Sequence, residues 1–210
     1  MSDAEVSSEP GDISSVAEWT PRPHESSGGL NDETSRATAQ LIEETLRERE
    51  IEYTRDAPDL FVVVLPGERK LKTVIGVTVG KHGTRMESFV CRKPDENFEG
   101  VYKFLLRRNR RLYGVAYTID RVGDIYLVGR MANHCVTADE LDHWFGQILE
   151  AVDADFNTLL ELGFAESIRK EWKWRVSRGE SLKNLRAFEH LVEAAMPVDG
   201  TPGFPTGSQK

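Results

Sequence analysis

Three side chains able to bind a soft metal stand close together: His134, Cys135 and His143. A structural zinc site takes four ligands, usually paired at short, regular spacings. No Cys-x-x-Cys or His-x-x-x-His pair exists here, and His143 falls inside a helical pattern. The three are expected as a loop histidine, a small buried cysteine and a polar helical histidine, with no metal. The run Asp153-Ala-Asp155-Phe-Asn157 copies the first three ligand positions of a calcium loop. That loop next needs glycine, and later a bidentate glutamate. Thr158 and Phe164 stand there instead, so the pair Asp153 and Asp155 reads as solvated helix surface or a bend.

Nucleophilic catalysis has no support. There is no Gly-x-Ser-x-Gly turn, and neither Cys91 nor Cys135 has a histidine–acid setting beyond His134. No phosphate-cradling glycine loop is present, so no cofactor is expected. Gly76 and Gly80, in a strand and its turn, read as packing and backbone geometry.

Basic residues are the remaining candidates. Arg107-Arg-Asn-Arg-Arg111 is the densest run, contributing Arg107, Arg108, Arg110 and Arg111. Cations at a helix C-terminus are favoured by the helix dipole, by ~0.3–1 kcal/mol each when exposed. The other reading is a site for an acidic peptide or a phosphate. No stacking motif or glycine-rich RNA loop accompanies the run, and nucleic acid is not the expected partner. Further on, Phe164, Ile168, Trp172 and Val176 recur every fourth residue as a buried stripe. Trp174 lies about 200° from Trp172 at ~100° per residue, with Lys170 and Arg178 one turn on either side. Two readings stay open for Trp174: a core residue under the last helix, or an exposed anchor between cations.

The chain that must position these residues has 210 residues, 39% hydrophobic and 30% charged, with a formal net charge of −8. Residues 1–59 carry 15 acidic and 5 basic side chains, so the acidity belongs to the leading segment. The longest apolar run, Leu60 to Leu65, is six residues, against the ~20 a membrane span needs. The first thirty residues lack the cationic start and apolar core of a secretory signal. Two cysteines suit a reducing compartment, and a cytoplasmic protein is expected. Residues 1–30, with seven serines and six acidic side chains against one arginine, read as a disordered acidic tail. Ile13, Val16 and Trp19 are its main apolar exceptions. Residues 196–210 read as a second tail, leaving 31–195 as the folding unit, its last part (163–195) a helical extension.

Asn31 or Asp32 can cap a helix reaching about residue 50. Strands are expected over 60–65, 71–79, 84–91, 113–119 and 124–130, with residues 56–59 as a break. In the second of these, Ile75, Val77 and Val79 point one way, and Val74, Gly76 and Thr78 the other. A helix over 95–110 carries Phe98, Val101, Tyr102, Leu105 and Leu106 as its apolar stripe. Thr137-Ala-Asp-Glu140 is a capping box opening a helix over 137–162, with a bend near 153–155 and Gly163 as its stop. Helices over 164–178 and 181–195 follow.

This order, α-βββ-α-ββ-α plus two C-terminal helices, implies an α+β fold with a mainly antiparallel five-stranded sheet covered by helices. It resembles the type III secretion chaperone-like fold. The segments Gly123-Asp-Ile-Tyr-Leu-Val-Gly129, Val136-Thr-Ala-Asp-Glu-Leu141 and Asp155-Phe-Asn-Thr-Leu-Leu160 resemble the YbjN family, whose members are labelled sensory transduction regulators. Longer members share an extension like Glu171-Trp-Lys-Trp-Arg-Val-Ser-Arg-Gly179. The resemblance implies a cytoplasmic, non-enzymatic, chaperone-like regulator in a stress or signal response. It would bind a protein or peptide partner, acidic if Lys170, Trp174, Arg178 and the 107–111 arginines carry the contact, or form a homodimer. The rival expectation is a small-ligand sensor, or an enzyme without a familiar motif, using a pocket between sheet and helices.

Overall fold

The computed structural model describes Trp19, Pro21, Leu30 and residues 32–193. These fall into two compact units, one ending at Ala165 and the other starting at Glu166. The sequence carries no linker at this boundary, which lies just after a break in a helix.

In the first unit, helix α1 spans Glu33–Glu48, and the Asp32 carboxylate accepts the Ser35 amide at 2.8 Å as its cap. Six strands follow: β1 Tyr53–Ala57, β2 Leu60–Pro66, β3 Lys72–Val79, β4 Thr84–Cys91, β5 Val115–Ile119 and β6 Ile125–Met131. Helix α2, Phe98–Asn109, joins β4 to β5. The sheet order is β1-β2-β3-β4-β6-β5, antiparallel throughout. The sheet therefore has six strands, where the hydrophobic pattern gave five. The additional strand is the edge β1, whose Tyr-Thr-Arg-Asp-Ala has no alternating apolar residues and is largely exposed. Its pairing with β2 holds it, not its own periodicity.

One face of the sheet is the core. Phe61, Val63, Ile75, Val77, Met86, Val90, Ile125 and Leu127 are fully buried there. The helices contribute Ala39, Ile42 and Leu46 from α1, Val101 and Leu105 from α2, and Leu141, Trp144, Phe145, Ile148 and Val152 from α3. Burying each large side chain contributes about 1.5–3 kcal/mol. Trp144 shows how closely the layers approach: a Cβ on Gly129 of β6 would sit 2.9 Å from its indole ring. The α2 stripe is narrower than its pattern suggested, because Phe98 and Leu106 are exposed.

Helix α3 runs over Ala138–Arg178 with non-helical dihedrals at Phe164 (φ −143°, ψ 18°). The break thus lies beside Gly163, not near 153–155. The Gly163 carbonyl accepts the amides of Asp95 and Glu96 ahead of α2. Only half of the expected capping box forms. The Thr137 hydroxyl accepts the Glu140 amide at 3.2 Å, while the Glu140 carboxylate accepts the Trp144 indole N–H at 3.1 Å.

In the second unit, α3 continues from Glu166 to Arg178. A 3-10 segment, Lys183–Phe188, and the short helix α4, Glu189–Glu193, follow in place of the single helix expected over 181–195. Arg169 Nε donates to the Leu191 carbonyl at 3.0 Å.

Candidate binding site on the open sheet face

Strand alternation that sends Ile75, Val77, Met86 and Leu127 into the core sends the intervening residues to the opposite face. The register places Val62, Gly76, Glu87, Val128 and Ala116 in one row across five strands. Val64 and Val74 are paired beside it, as are Phe89 and Tyr126. The side chains on this face are half-buried, in contrast to their fully buried neighbours. The face is mixed: valines and aromatic rings flank a charged pair on the interior strand β4, where Arg85 Nη2 donates to Glu87 Oε1 at 2.7 Å. Toward β5 it opens into a groove of about 490 Å³, walled by Arg85, Ala116, Thr118, Val128 and Arg130.

Two residues of the expected tail lie on this face. Pro21 is buried over Gly76, and Trp19 is half-buried beside it. The Trp19 ring meets Tyr126 edge-on at 5.9 Å, and Tyr126 meets Phe89 edge-on at 5.5 Å. The other apolar residues noted in the leader, Ile13 and Val16, lie outside the described residues. The sequence carries two signals for this site, neither of which marks it alone. One is a glycine alone in a β-branched strand; the other is Trp-Thr-Pro in a serine- and glutamate-rich leader.

The sequence-predicted arginines separate. Arg107, Arg110 and Arg111 are exposed at the end of α2. Arg108 turns inward, its Nε 2.7 Å from Asp155 Oδ2, and that carboxylate raises its already high pKa. The same oxygen lies 2.8 Å from the Tyr117 hydroxyl, which is also 3.0 Å from the Ala151 carbonyl. Burial first, and the Asp155 charge second, push the Tyr117 pKa up, so the phenol stays protonated. Arg108 therefore serves the fold. Asp155 is buried, and Asp153 Oδ1 accepts the amides of Arg69 and Lys70 at 2.8 and 2.9 Å. Both acids are structural ties, which corrects the reading of a solvated surface.

In the second unit Lys170 and Arg178 are exposed and Trp174 is half-buried. The Arg178 guanidinium stacks over the Trp174 ring at 4.8 Å. Of the expected buried stripe, Phe164 and Ile168 are buried, Trp172 is half-buried, and Val176 is 57% exposed.

Of the thiols, Cys91 is buried and Cys135 exposed, which reverses the burial expected for Cys135. Burial pushes the Cys91 thiol up to about 12 and the Lys70 ammonium down to about 8. Lys70 Nζ donates to the Phe89 carbonyl and stands over the Phe89 and Phe156 rings. Among the described residues no group of three or more His, Cys, Asp and Glu could hold a metal, and no helix is long and apolar enough to cross a membrane.

The fold is a helix-backed antiparallel sheet whose second face, among the described residues, carries half-buried side chains with Trp19 and Pro21 resting on it. Residues 38–161 match the YbjN family, described as "Putative bacterial sensory transduction regulator". The chain belongs to this family. It is 59% identical over 162 residues to an uncharacterized protein of Mycobacterium tuberculosis, covering 75% of this chain and 88% of that protein. It is likewise 59% identical over 158 residues to one of Mycobacterium leprae, covering 73% and 86%. Among solved structures, a chain of the heterodimeric ExoU–SpcU complex from the type III secretion system of Pseudomonas aeruginosa overlaps 59% of this chain and 98% of its own. Its TM-score is 0.46 at 16% identity. A chain of the ExsC–ExsE complex overlaps 61% and 96%, with a TM-score of 0.45 at 15% identity.

Proposed function

We propose that this chain is a non-enzymatic, chaperone-like regulator that binds an extended protein segment on the open face of its sheet. The observation that carries this reading is the seat at Gly76, where a proline and a tryptophan already rest on the face. The half-buried valines and the Phe89 and Tyr126 rings give an extended partner apolar contact area on this face. The groove beside Val128 continues the same surface, so the rest of a bound segment has somewhere to lie. A cytoplasmic setting, in a stress or signal response, fits the two free cysteines and the family.

The basic surface of the second unit is proposed as a separate contact for an acidic partner. Arg178 stacked on Trp174, with Lys170 one turn away, presents two cations around an aromatic plate. Arg107, Arg110 and Arg111 are available for the same chemistry, and Arg108 is not. Trp174→Ala separates anchor from core: an anchor loses roughly 2 kcal/mol of partner affinity with little change in denaturant midpoint. A core tryptophan loses stability instead.

A photo-crosslinking amino acid at Val128, compared with one at exposed Leu106 on α2, tests the main reading in cells. The expected result is a discrete protein crosslink from position 128 alone. The crosslinked sequence, made as a peptide, then binds the purified chain and is lost with Val128→Asp. No crosslink at 128 overturns the proposal. Saturable thermal stabilisation by a metabolite, with no crosslink, points to the small-ligand sensor.

A further inference from the structure

We infer that the Trp19-Thr-Pro21 segment of the leader is a built-in competitor for the open face, and that partners bind by displacing it. This rests on the proposed role of that face and adds its regulation.

The seat is specific in shape. Gly76 is the one residue of its cross-strand row without a side chain. A Cβ there would come within 2.7 Å of Pro21 Cγ and 3.6 Å of the Trp19 ring, so the proline fills the space that a side chain would take. Trp19 completes the contact against Tyr126, whose other neighbour is Phe89. The recognised chemistry is therefore an aromatic residue two positions before a proline, seated between the Gly76 backbone and the Tyr126 ring.

The seat is also small and tethered. It is made by two side chains, while Val62, Val64, Val74 and Val128 offer further apolar surface on the same face. Residues 22–32 join Pro21 to α1, a span of 11 residues. A short tether holds a segment at an effective concentration on the order of millimolar. A competing segment at micromolar concentration must therefore bind the bare face about a thousandfold more tightly to displace it. A partner that repeats the aromatic-x-proline anchor and runs on into the groove has the added contacts to do so. A weak, generic apolar segment does not. The leader thus sets a threshold: it covers a sticky face when no partner is present, and passes only partners that use the whole surface.

The test is a fluorescein-labelled peptide of residues 13–25 titrated into full-length chains by anisotropy. The proteins are the native chain, a Trp19→Ala/Pro21→Ala variant, and that variant with Gly76→Val, each shown by circular dichroism to be folded. The inference predicts at least tenfold tighter binding to the Trp19→Ala/Pro21→Ala variant than to the native chain, and at least a tenfold loss when Gly76→Val is added. Equal affinity for the native chain and the leader variant overturns the competition. No binding to either also overturns it, while the role of the face is judged separately by the crosslink at Val128, which uses neither leader residue. A native chain that elutes as a dimer, converted to a monomer by the leader substitutions, overturns the intramolecular arrangement in favour of exchange between copies.

Discussion

Pro21 occupies the space that a side chain at Gly76 would need, with 2.7 Å between its Cγ and the position of a Cβ on that glycine. Glycine in a strand interior is otherwise unfavourable, for want of a side chain to pack and for its backbone entropy. Gly76→Val therefore restores a good strand residue while evicting the leader. The melting temperature should hold or rise, and Trp19 should become accessible to acrylamide. A collapse in melting temperature would show that the glycine is required by the strand itself.

Leu127 and Val128 are neighbours on opposite faces. Leu127 is fully buried in the core, whereas Val128 lies on the open face. Leu127→Asp buries an unpaired charge and should cost about 4 kcal/mol or more, measured by urea denaturation. Val128→Asp should stay within about 1 kcal/mol of the parent and lose binding. Equal destabilisation of the two would mean that the second face is also buried.

Asp155 joins Arg108 of α2 and Tyr117 of β5 to α3. Tyr117→Phe removes a buried hydroxyl and should cost about 1–2 kcal/mol. Arg108→Ala leaves Asp155 short of its cation and should cost more, while Arg107→Ala, Arg110→Ala and Arg111→Ala stay within about 0.5 kcal/mol. A double-mutant cycle on Tyr117 and Arg108 should show coupling of about 0.5–3 kcal/mol. Strict additivity would contradict the shared carboxylate.

Lys70 gives a pH signature. Burial lowers its ammonium from 10.5 to about 8 in the folded chain. From pH 8 to 10.5 the unfolded chain binds more protons at this residue than the folded one, so stability rises with pH. Cys91 acts the other way from about pH 8 upward, because its thiol, raised from 9.0 to about 12, ionises only in the unfolded chain. Between pH 8 and 9 the Lys70 gain exceeds the Cys91 loss, and stability should climb by less than about 1 kcal/mol. Lys70→Met should abolish the climb, and a flat native profile across that window would contradict the buried ammonium.

Much of this architecture is legible locally. The alternation in Leu60–Pro66, Lys72–Val79 and Ile125–Met131 reports which face is core, because burial on one side of a sheet imposes period two. What is illegible is set by distant partners. Tyr53–Ala57 becomes a strand because β2 lies beside it, and its own residues carry no such period. Asp153 and Asp155 look like solvated acids until the 66–71 turn, Tyr117 and Arg108 are brought against them. The site itself needs two distant signals read together, Gly76 in its strand and Trp19-Thr-Pro21 in the leader. Neither has meaning alone, because the glycine and the leader segment meet only in the folded chain.

The central claim, that the open face holds an extended segment and that the leader is its resident, is tested most directly by fluorine NMR. The chain labelled with 5-fluorotryptophan has four indoles, Trp19, Trp144, Trp172 and Trp174, and Trp19→Phe assigns the first. The Trp19 resonance in the native chain should be displaced from that of the free 13–25 peptide, and Gly76→Val should return it to the free position with the other three unmoved. A Trp19 resonance already at the free position, and indifferent to Gly76→Val, would contradict it.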